Sequence, residues 1–278
     1  MRPELKVVWV CEQAGMTPQN YYARRTQRCR QAVDVALMLE LVRAERREQP
    51  RLGVRKLYYL IEPELAKAGV KMGRDRVFEE LSKAGMLVAR KRSEWPKTTS
   101  FNPNLPVFTN LIRRVKVTGR NQVWVVDITY LRTRQGFLYL ALITDRWSRK
   151  IVGFDVGATL ETGSSLKALA MAVKELQKRE KPIHHSDRGC QYASHAYVKA
   201  AEQAGLTMSM TEKNHSAENA VAERVNGILK QEYWLDAEFA THREARQASG
   251  HAVRMYNHRR PHTALGFKTP QEVHGAKA

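Results

Sequence analysis

Three acidic side chains stand out for what surrounds them. Asp127 lies in the middle of VWVVDITYL, an apolar run where a carboxylate needs a cation or hydrogen-bond donors to offset its lost hydration. Asp187 follows PIHHS and precedes Gly189, at the kind of strand end where α/β folds bind ligands. Glu223 sits in AENAVAERVNGILKQE, on a helix face shared with Ala220, Gly227 and Lys230 that borders the apolar side formed by Val221, Val225, Ile228 and Leu229. Each has an ordinary alternative: an outward strand position for Asp127, a loop cap for Asp187, a solvated helix position for Glu223. Brought together, the three would form a hard oxygen-ligand set suited to Mg2+ or Mn2+. Two such ions about 4 Å apart activate a water or a sugar hydroxyl and stabilise the leaving oxygen of an in-line attack on phosphorus.

The elements that must position these residues begin near residue 121. QVWVVDITYL, GFLYLALITD and KIVGFDVG are short runs of β-branched, aromatic and aliphatic residues separated by turn residues. A helix over 161–179, a strand in PIHHS, a helix over 193–205, a strand in LTMSM and a helix over 217–232 complete the order β-β-β-α-β-α-β-α. That succession predicts an α/β fold, a mixed five-stranded sheet with flanking helices of ribonuclease-H-like architecture, although other α/β folds share it. The predicted organisation is an all-α, helix-turn-helix-like DNA-binding region over 1–89, a linker over 90–106, a catalytic core over 107–235, and a C-terminal helix and tail over 236–278.

In the N-terminal region, residues 4–28 read as two short helices around Gly15, with Thr17 as cap and Pro18 in the first helical position. The second would expose Gln19, Asn20, Arg24 and Arg25, side chains that reach base edges and phosphates; a hairpin used only for packing has the same signature. Residues 31–48 predict an amphipathic helix with Val33, Ala36, Leu37, Leu39, Leu41 and Val42 as its mostly buried side. A further helical pair carries Arg55, Lys56, Arg74 and Arg76 near its helix starts, where an arriving phosphate would relieve their conflict with the helix dipole. Lys213, Arg224 and Lys230 flank the Glu223 segment, and Arg259 and Arg260 stand in a tail with Tyr256, His258 and His262. Solvated surface charge is the competing reading for Arg55, Lys56, Arg74, Arg76, Lys213, Arg224 and Lys230, and the tail reads as a docking segment either for DNA or for the fold's own surface. Asp145 and Asp155 are rival carboxylates, expected to be ion-paired to Arg146 or Arg149.

Across 278 residues, 47 Lys and Arg stand against 28 Asp and Glu, a net charge of +19, which excludes an ordinary neutral metabolic enzyme as the default. The excess is spread, +9 over residues 1–100, +7 over 101–235 and +3 over 236–278, so no basic tail explains it. A polyanion touched along the whole length, nucleic acid, fits better than a membrane, since no helix pairs a strongly apolar face with a basic one, and lysine and arginine kept for solubility is the plainer alternative. No apolar run approaches the roughly 20 residues of a bilayer span, and a cytoplasmic location, nucleoid-associated in use, is expected. Cys11, Cys29 and Cys190 form no paired or metal-binding spacing and read as plain thiols.

The segments WVVDITY, HSDRGCQY, ENAVAE and YNHRRPHTALG, in that order, resemble those of DDE, retroviral-integrase-like insertion-sequence transposases, in particular the OrfB-type catalytic protein. The resemblance runs from GVRKLYYL to TPQEV. It implies that Asp127, Asp187 and Glu223 are a catalytic triad holding two Mg2+ or Mn2+ ions, and that the reaction is cleavage at the element's ends followed by attack of a DNA 3′-hydroxyl on a second phosphodiester. It implies double-stranded DNA, both element ends and target, as partner, and at least a dimer on that DNA. An upstream-frame DNA-binding protein, as partner or fusion, is a further implied partner. Two departures are Glu218, where Asp is usual, and Arg224-Val225-Asn226, where an aromatic residue is more common. A non-catalytic DNA-binding regulator or a structure-selective nuclease of the same fold are the alternative readings.

Overall fold

A computed structural model describes residues 6–89, 105–212 and 218–276. By internal packing the chain divides into two compact units, Met1–Arg47 with Gly53–Val88, and Glu48–Leu52 with Ala89–Ala278.

The first unit is helical: α1 (Val7–Gln13), α2 (Pro18–Glu48), α3 (Val54–Lys67) and α4 (Arg74–Lys83). Apolar residues four apart, Leu57, Ile61 and Leu65 on α3 with Val77 and Leu81 on α4, are buried together with Met38 and Val42 of α2. Gly69 ends α3 in the left-handed region, at φ +74°, and the next N–H, of Val70, returns to the Leu65 carbonyl at 2.9 Å. Thr17 accepts from the Asn20 N–H at 3.2 Å, as a cap does. Two expectations are corrected. The second short helix and the 31–48 helix are one continuous 31-residue helix, since no Gly or Pro interrupts residues 19–48. Val33 is 68% exposed and Ala36 is exposed as well; the buried side of α2 is carried by Met38 and Val42 near its C-terminal end.

The second unit is built on β1 (Val123–Thr133), β2 (Gly136–Asp145), β3 (Ile151–Gly157), β4 (Ile183–Ser186) and β5 (Thr207–Met210), in the order β3-β2-β1-β4-β5. β1–β2 and β2–β3 are antiparallel; β1–β4 and β4–β5 are parallel. A sixth strand of two residues, β6 (Glu238–Phe239), not expected from its length, pairs with the far end of β1. The helices are α5 (Thr162–Lys174), α6 (Cys190–Ala193), α7 (His195–Gln203), α8 (Ala220–Glu232), α9 (His242–His258) and α10 (Pro270–Gly275).

β1 is central and buried on both faces, so its sequence reads as a near-continuous apolar run. Trp124 and Val126 point to the layer of α5 and α7, together with Ala168, Leu169, Tyr197 and Ala201. Val123 and Val125 point to the other face, where Ala222 of α8 packs, and Leu131 meets Val225, Ile228 and Leu229 of the same helix. With a side-chain period of two, Asp127 belongs to the α8 face. Gly153 on β3 sits under α5, where a Cβ would collide with the Ala168 carbonyl.

Residues 236–276 pack within this second unit. The Tyr256 hydroxyl donates to the Arg149 carbonyl at 3.0 Å, and the Asn257 amide both accepts from the N–H and donates to the carbonyl of Ile151, each at 2.9 Å. Arg260, 2% exposed, makes two bonds to the Glu232 carboxylate, at 2.7 and 2.9 Å. Glu232 is the last residue of α8, so the tail holds the helix that carries Glu223.

Candidate active site

The parallel register of β1 and β4 sets the site. Val123 pairs with Ile183, Trp124 with His184 and Val125 with His185; carried two residues on, the same offset sets Asp187 opposite Asp127. The two carboxylates thus emerge side by side where β4 ends, each half-buried, in a cleft also lined by Tyr130, Leu160, Gln191 and Tyr192.

Each carboxylate is held by its surroundings. The Ile128 N–H donates to Oδ1 of Asp127 at 2.9 Å, and the Asn226 amide of α8 donates to Oδ2 at 2.7 Å. Asp187 Oδ1 accepts from the Gly189 N–H at 3.0 Å, in a loop where a Cβ on Gly189 would come within 3.0 Å of that same oxygen. Burial pushes the Asp127 carboxyl up to about 7, reinforced by the negative charge of Asp187, against the two donors that favour the charged form; Glu223 adds a smaller upward push.

Glu223 lies in the first turn of α8, three residues before Asn226, so the two share a helix face. Its side chain is exposed, and partial burial raises its pKa. α8 is fastened to β1 twice, through Asn226 and through Asn219, whose amide donates to the Val126 carbonyl at 2.9 Å. Among the described residues no three His, Cys, Asp or Glu side chains are gathered closely enough to enclose an ion; the structure pairs Asp127 with Asp187 and holds Glu223 a turn away. Asn219 and Tyr192 are site residues that the sequence reading did not single out, and Gly189 and Asn226 were named there only as neighbours of Asp187 and Glu223. Asn226 had a signal, its spacing of three from Glu223.

Asp145, His184 and His185 each make hydrogen bonds within the fold, although Nδ1 of His184 and Nε2 of His185 are buried without a partner among the described residues. Asp145 is not ion-paired to Arg146 or Arg149; fully buried, it accepts from the N–H of Asn121 at 2.8 Å and from the N–H and hydroxyl of Ser148 at 2.7 and 2.6 Å. His184 and His185 are both buried, bonded to the Tyr197 hydroxyl at 2.8 Å and the Ser209 hydroxyl at 2.9 Å, and burial lowers each to about 4.

The residues expected at DNA divide by exposure. Gln19, Asn20, Arg24 and Arg25 are exposed on the first turns of α2. Arg55, Arg224 and Arg259 are exposed and Lys56 is half-buried. Arg74 pairs with Asp75 at 2.8 Å and Arg76 with Glu80 at 3.0 Å, surface pairs that a phosphate can outcompete. Lys230 is buried, with its ammonium 4.3 Å from the centre of the Tyr130 ring, and burial lowers it to about 8 against the pull of Asp127. Arg260 is taken up by Glu232, so this residue is a strut within the fold and not a surface contact. Lys213 lies outside the described residues, as does most of the expected linker, residues 90–104.

Comparison with known proteins identifies this arrangement. Integrase core domain profiles match residues 117–216 and 204–270. The chain is 35% identical to the insertion element IS600 uncharacterized 31 kDa protein of Shigella sonnei, over 94% of this chain and 96% of the relative. It is 30% identical to the transposase for insertion sequence element IS629 of Shigella sonnei, covering 99% of this chain and 94% of that protein. A chain of the simian T-cell lymphotropic virus intasome in complex with PP2A regulatory subunit B56 gamma shares the fold, with 19% identity, a TM-score of 0.50, and coverage of 81% of this chain and 75% of that one. The ribonuclease-H-like sheet, the profiles that together run from residue 117 to 270, and the 30–35% identity over nearly the full length of insertion-sequence proteins place this chain in the family of integrase-core insertion-sequence transposases, polynucleotidyl transferases.

Proposed function

We propose that this transposase cuts DNA at the ends of an insertion sequence and joins the freed 3′-hydroxyl to target DNA, with Asp127, Asp187 and Glu223 as its catalytic acids. The observation that supports this best is the side-by-side placement of Asp127 and Asp187, with the Asp127 carboxyl pushed up to about 7 by burial and by its neighbour's charge. An acid pair that resists double ionisation is short of positive charge, and an all-oxygen donor set fits Mg2+ or Mn2+. Bound there, a pair of such ions would activate the attacking hydroxyl and stabilise the leaving oxygen.

The protein's own contribution is positioning. Ile128 and Asn226 fix the plane of Asp127, and Gly189 fixes Asp187. Asn226 also ties α8 to Asp127, and Glu223, three residues earlier on that helix, is near enough to add to the negative field at Asp127. The exposed Gln19, Asn20, Arg24 and Arg25 of α2, together with Arg55, Arg224 and Arg259, supply DNA contacts in this reading. Joining two element ends requires that at least two copies meet on DNA, and an upstream-frame DNA-binding protein is a candidate partner. No helix among the described residues is long and apolar enough to cross a membrane.

The test is end cleavage and joining on labelled element ends in Mg2+, with wild type and Asp187→Asn side by side. Wild type should cut and join; the variant should bind the DNA equally but lose at least 1000-fold in rate, about 4 kcal/mol of transition-state stabilisation. Cleavage that survives Asp187→Asn removes the acid set from the mechanism. Cutting without joining by wild type leaves a nuclease, and binding without cutting leaves a regulator.

A further inference from the structure

Two tyrosines lie together beneath β4, and only one has its hydroxyl satisfied. The rings of Tyr192 and Tyr197 stand 5.4 Å apart at 75°. Tyr197 is fully buried and its hydroxyl meets His184 Nε2 at 2.8 Å. Tyr192 is 2% exposed, and its hydroxyl, shut off from solvent, has no hydrogen-bond partner. Phenylalanine would fill the same space without stranding a polar atom, so the hydroxyl is held here against its desolvation cost.

What it faces gives the reason. Tyr192 lines the acid cleft with Asp127, Asp187, Gly189 and Gln191. Burial first, and then Tyr197 and the charges of Asp127 and Asp187, push the phenol well above its usual range, so it keeps its proton and can only donate. A DNA phosphate cannot reach an oxygen this enclosed, whereas the two carboxylates are within electrostatic range of it. In the present arrangement Asp127 accepts from Ile128 and Asn226, and Asp187 from Gly189.

We propose that Tyr192 is a positioning residue for the acid pair, its hydroxyl donating to a carboxylate oxygen of Asp127 or Asp187 when the cleft holds a divalent cation. The inference rests on the cation-site reading of the cleft. With a cation held between Asp127 and Asp187, a bond from Tyr192 to one of their oxygens would keep that carboxylate oriented as a ligand.

Tyr192→Phe in the full chain, measured by Mn2+ titration calorimetry and by thermal unfolding with and without Mn2+, tests this. The cation-free midpoint should be unchanged or higher, because the variant loses only an unpaired hydroxyl. Mn2+ affinity should fall 10- to 100-fold, as for other groups that orient a metal ligand. Asp187→Asn in parallel should abolish Mn2+ binding. If Asp187→Asn abolishes binding while Tyr192→Phe binds as tightly as wild type, the tyrosine inference falls and the cation site stands. If Asp187→Asn leaves binding intact, both fall. A lower cation-free midpoint for Tyr192→Phe also overturns the inference, since it shows a hydroxyl already bonded in the empty cleft.

Discussion

Asp127 sets how the acid cleft answers to pH. Its carboxyl is raised from 3.8 to about 7, by burial first and then by Asp187, so the folded protein keeps a proton that the unfolded chain releases between about pH 4 and 7. A raised carboxyl works against folding once ionised: cation-free stability from this group falls as pH rises through that window and levels off above 7. Cation binding must expel the same proton. Apparent Mn2+ affinity should therefore climb by up to about tenfold per pH unit from pH 5 to 7 and flatten beyond. Calorimetry at pH 6 in buffers of different ionisation enthalpy should register close to one proton released per site, and almost none at pH 8.5. Almost no proton released at pH 6 would show that Asp127 is already ionised in the cation-free cleft. Gly189 bears on the same carboxylate pair from the other side, because a methyl there crowds Asp187 Oδ1 at 3.0 Å and Gln191 Oε1 at 2.9 Å.

The C-terminal tail acts at the level of elements. Arg260 and Glu232 form a bidentate pair between the tail and the end of α8, with side chains 2% and 15% exposed. Removing one partner strands the other charge, so Arg260→Ala should destabilise the protein by about 3–5 kcal/mol, read from denaturant midpoints. Any loss of DNA binding should track the unfolded fraction and vanish under conditions where the variant is folded. A folded Arg260→Ala with weakened DNA binding would return this residue to the DNA surface. The contrast shows what a sequence carries and what it does not. The three antiparallel strands were legible because apolar runs and turn residues are local, and the order of elements then narrowed the sheet to a few α/β arrangements, of which the observed one is the ribonuclease-H-like order. The placement of Asp187 beside Asp127 was only partly legible, since it depends on a parallel register between strands about 60 residues apart. Arg260 stood in a tail that read as docking either to DNA or to the fold's own surface, and nothing near it in sequence announces Glu232. Val33 read as core because periodicity shows that a face is apolar and not that a partner covers it.

For the molecule as a whole, the net charge of +19 and its even spread lead to a prediction about salt. Each phosphate neutralised releases counterions, so log affinity for duplex DNA falls with log salt by about 0.9 per contact. If the exposed first turns of α2 read DNA, Arg24→Ala with Arg25→Ala should reduce that slope by about 2 and weaken binding to all sequences alike. Gln19→Ala and Asn20→Ala, by contrast, should leave the slope unchanged and blunt only the preference for element ends, because uncharged amides displace no counterions. Asp187→Asn should change neither, which separates holding the DNA from cutting it. Fluorescence anisotropy with end and scrambled duplexes across 50–300 mM salt reads all three. A slope unmoved by losing both arginines would shift the DNA contacts elsewhere and leave α1 and the start of α2 as a helical pair used for packing, the alternative that the sequence allowed from the start.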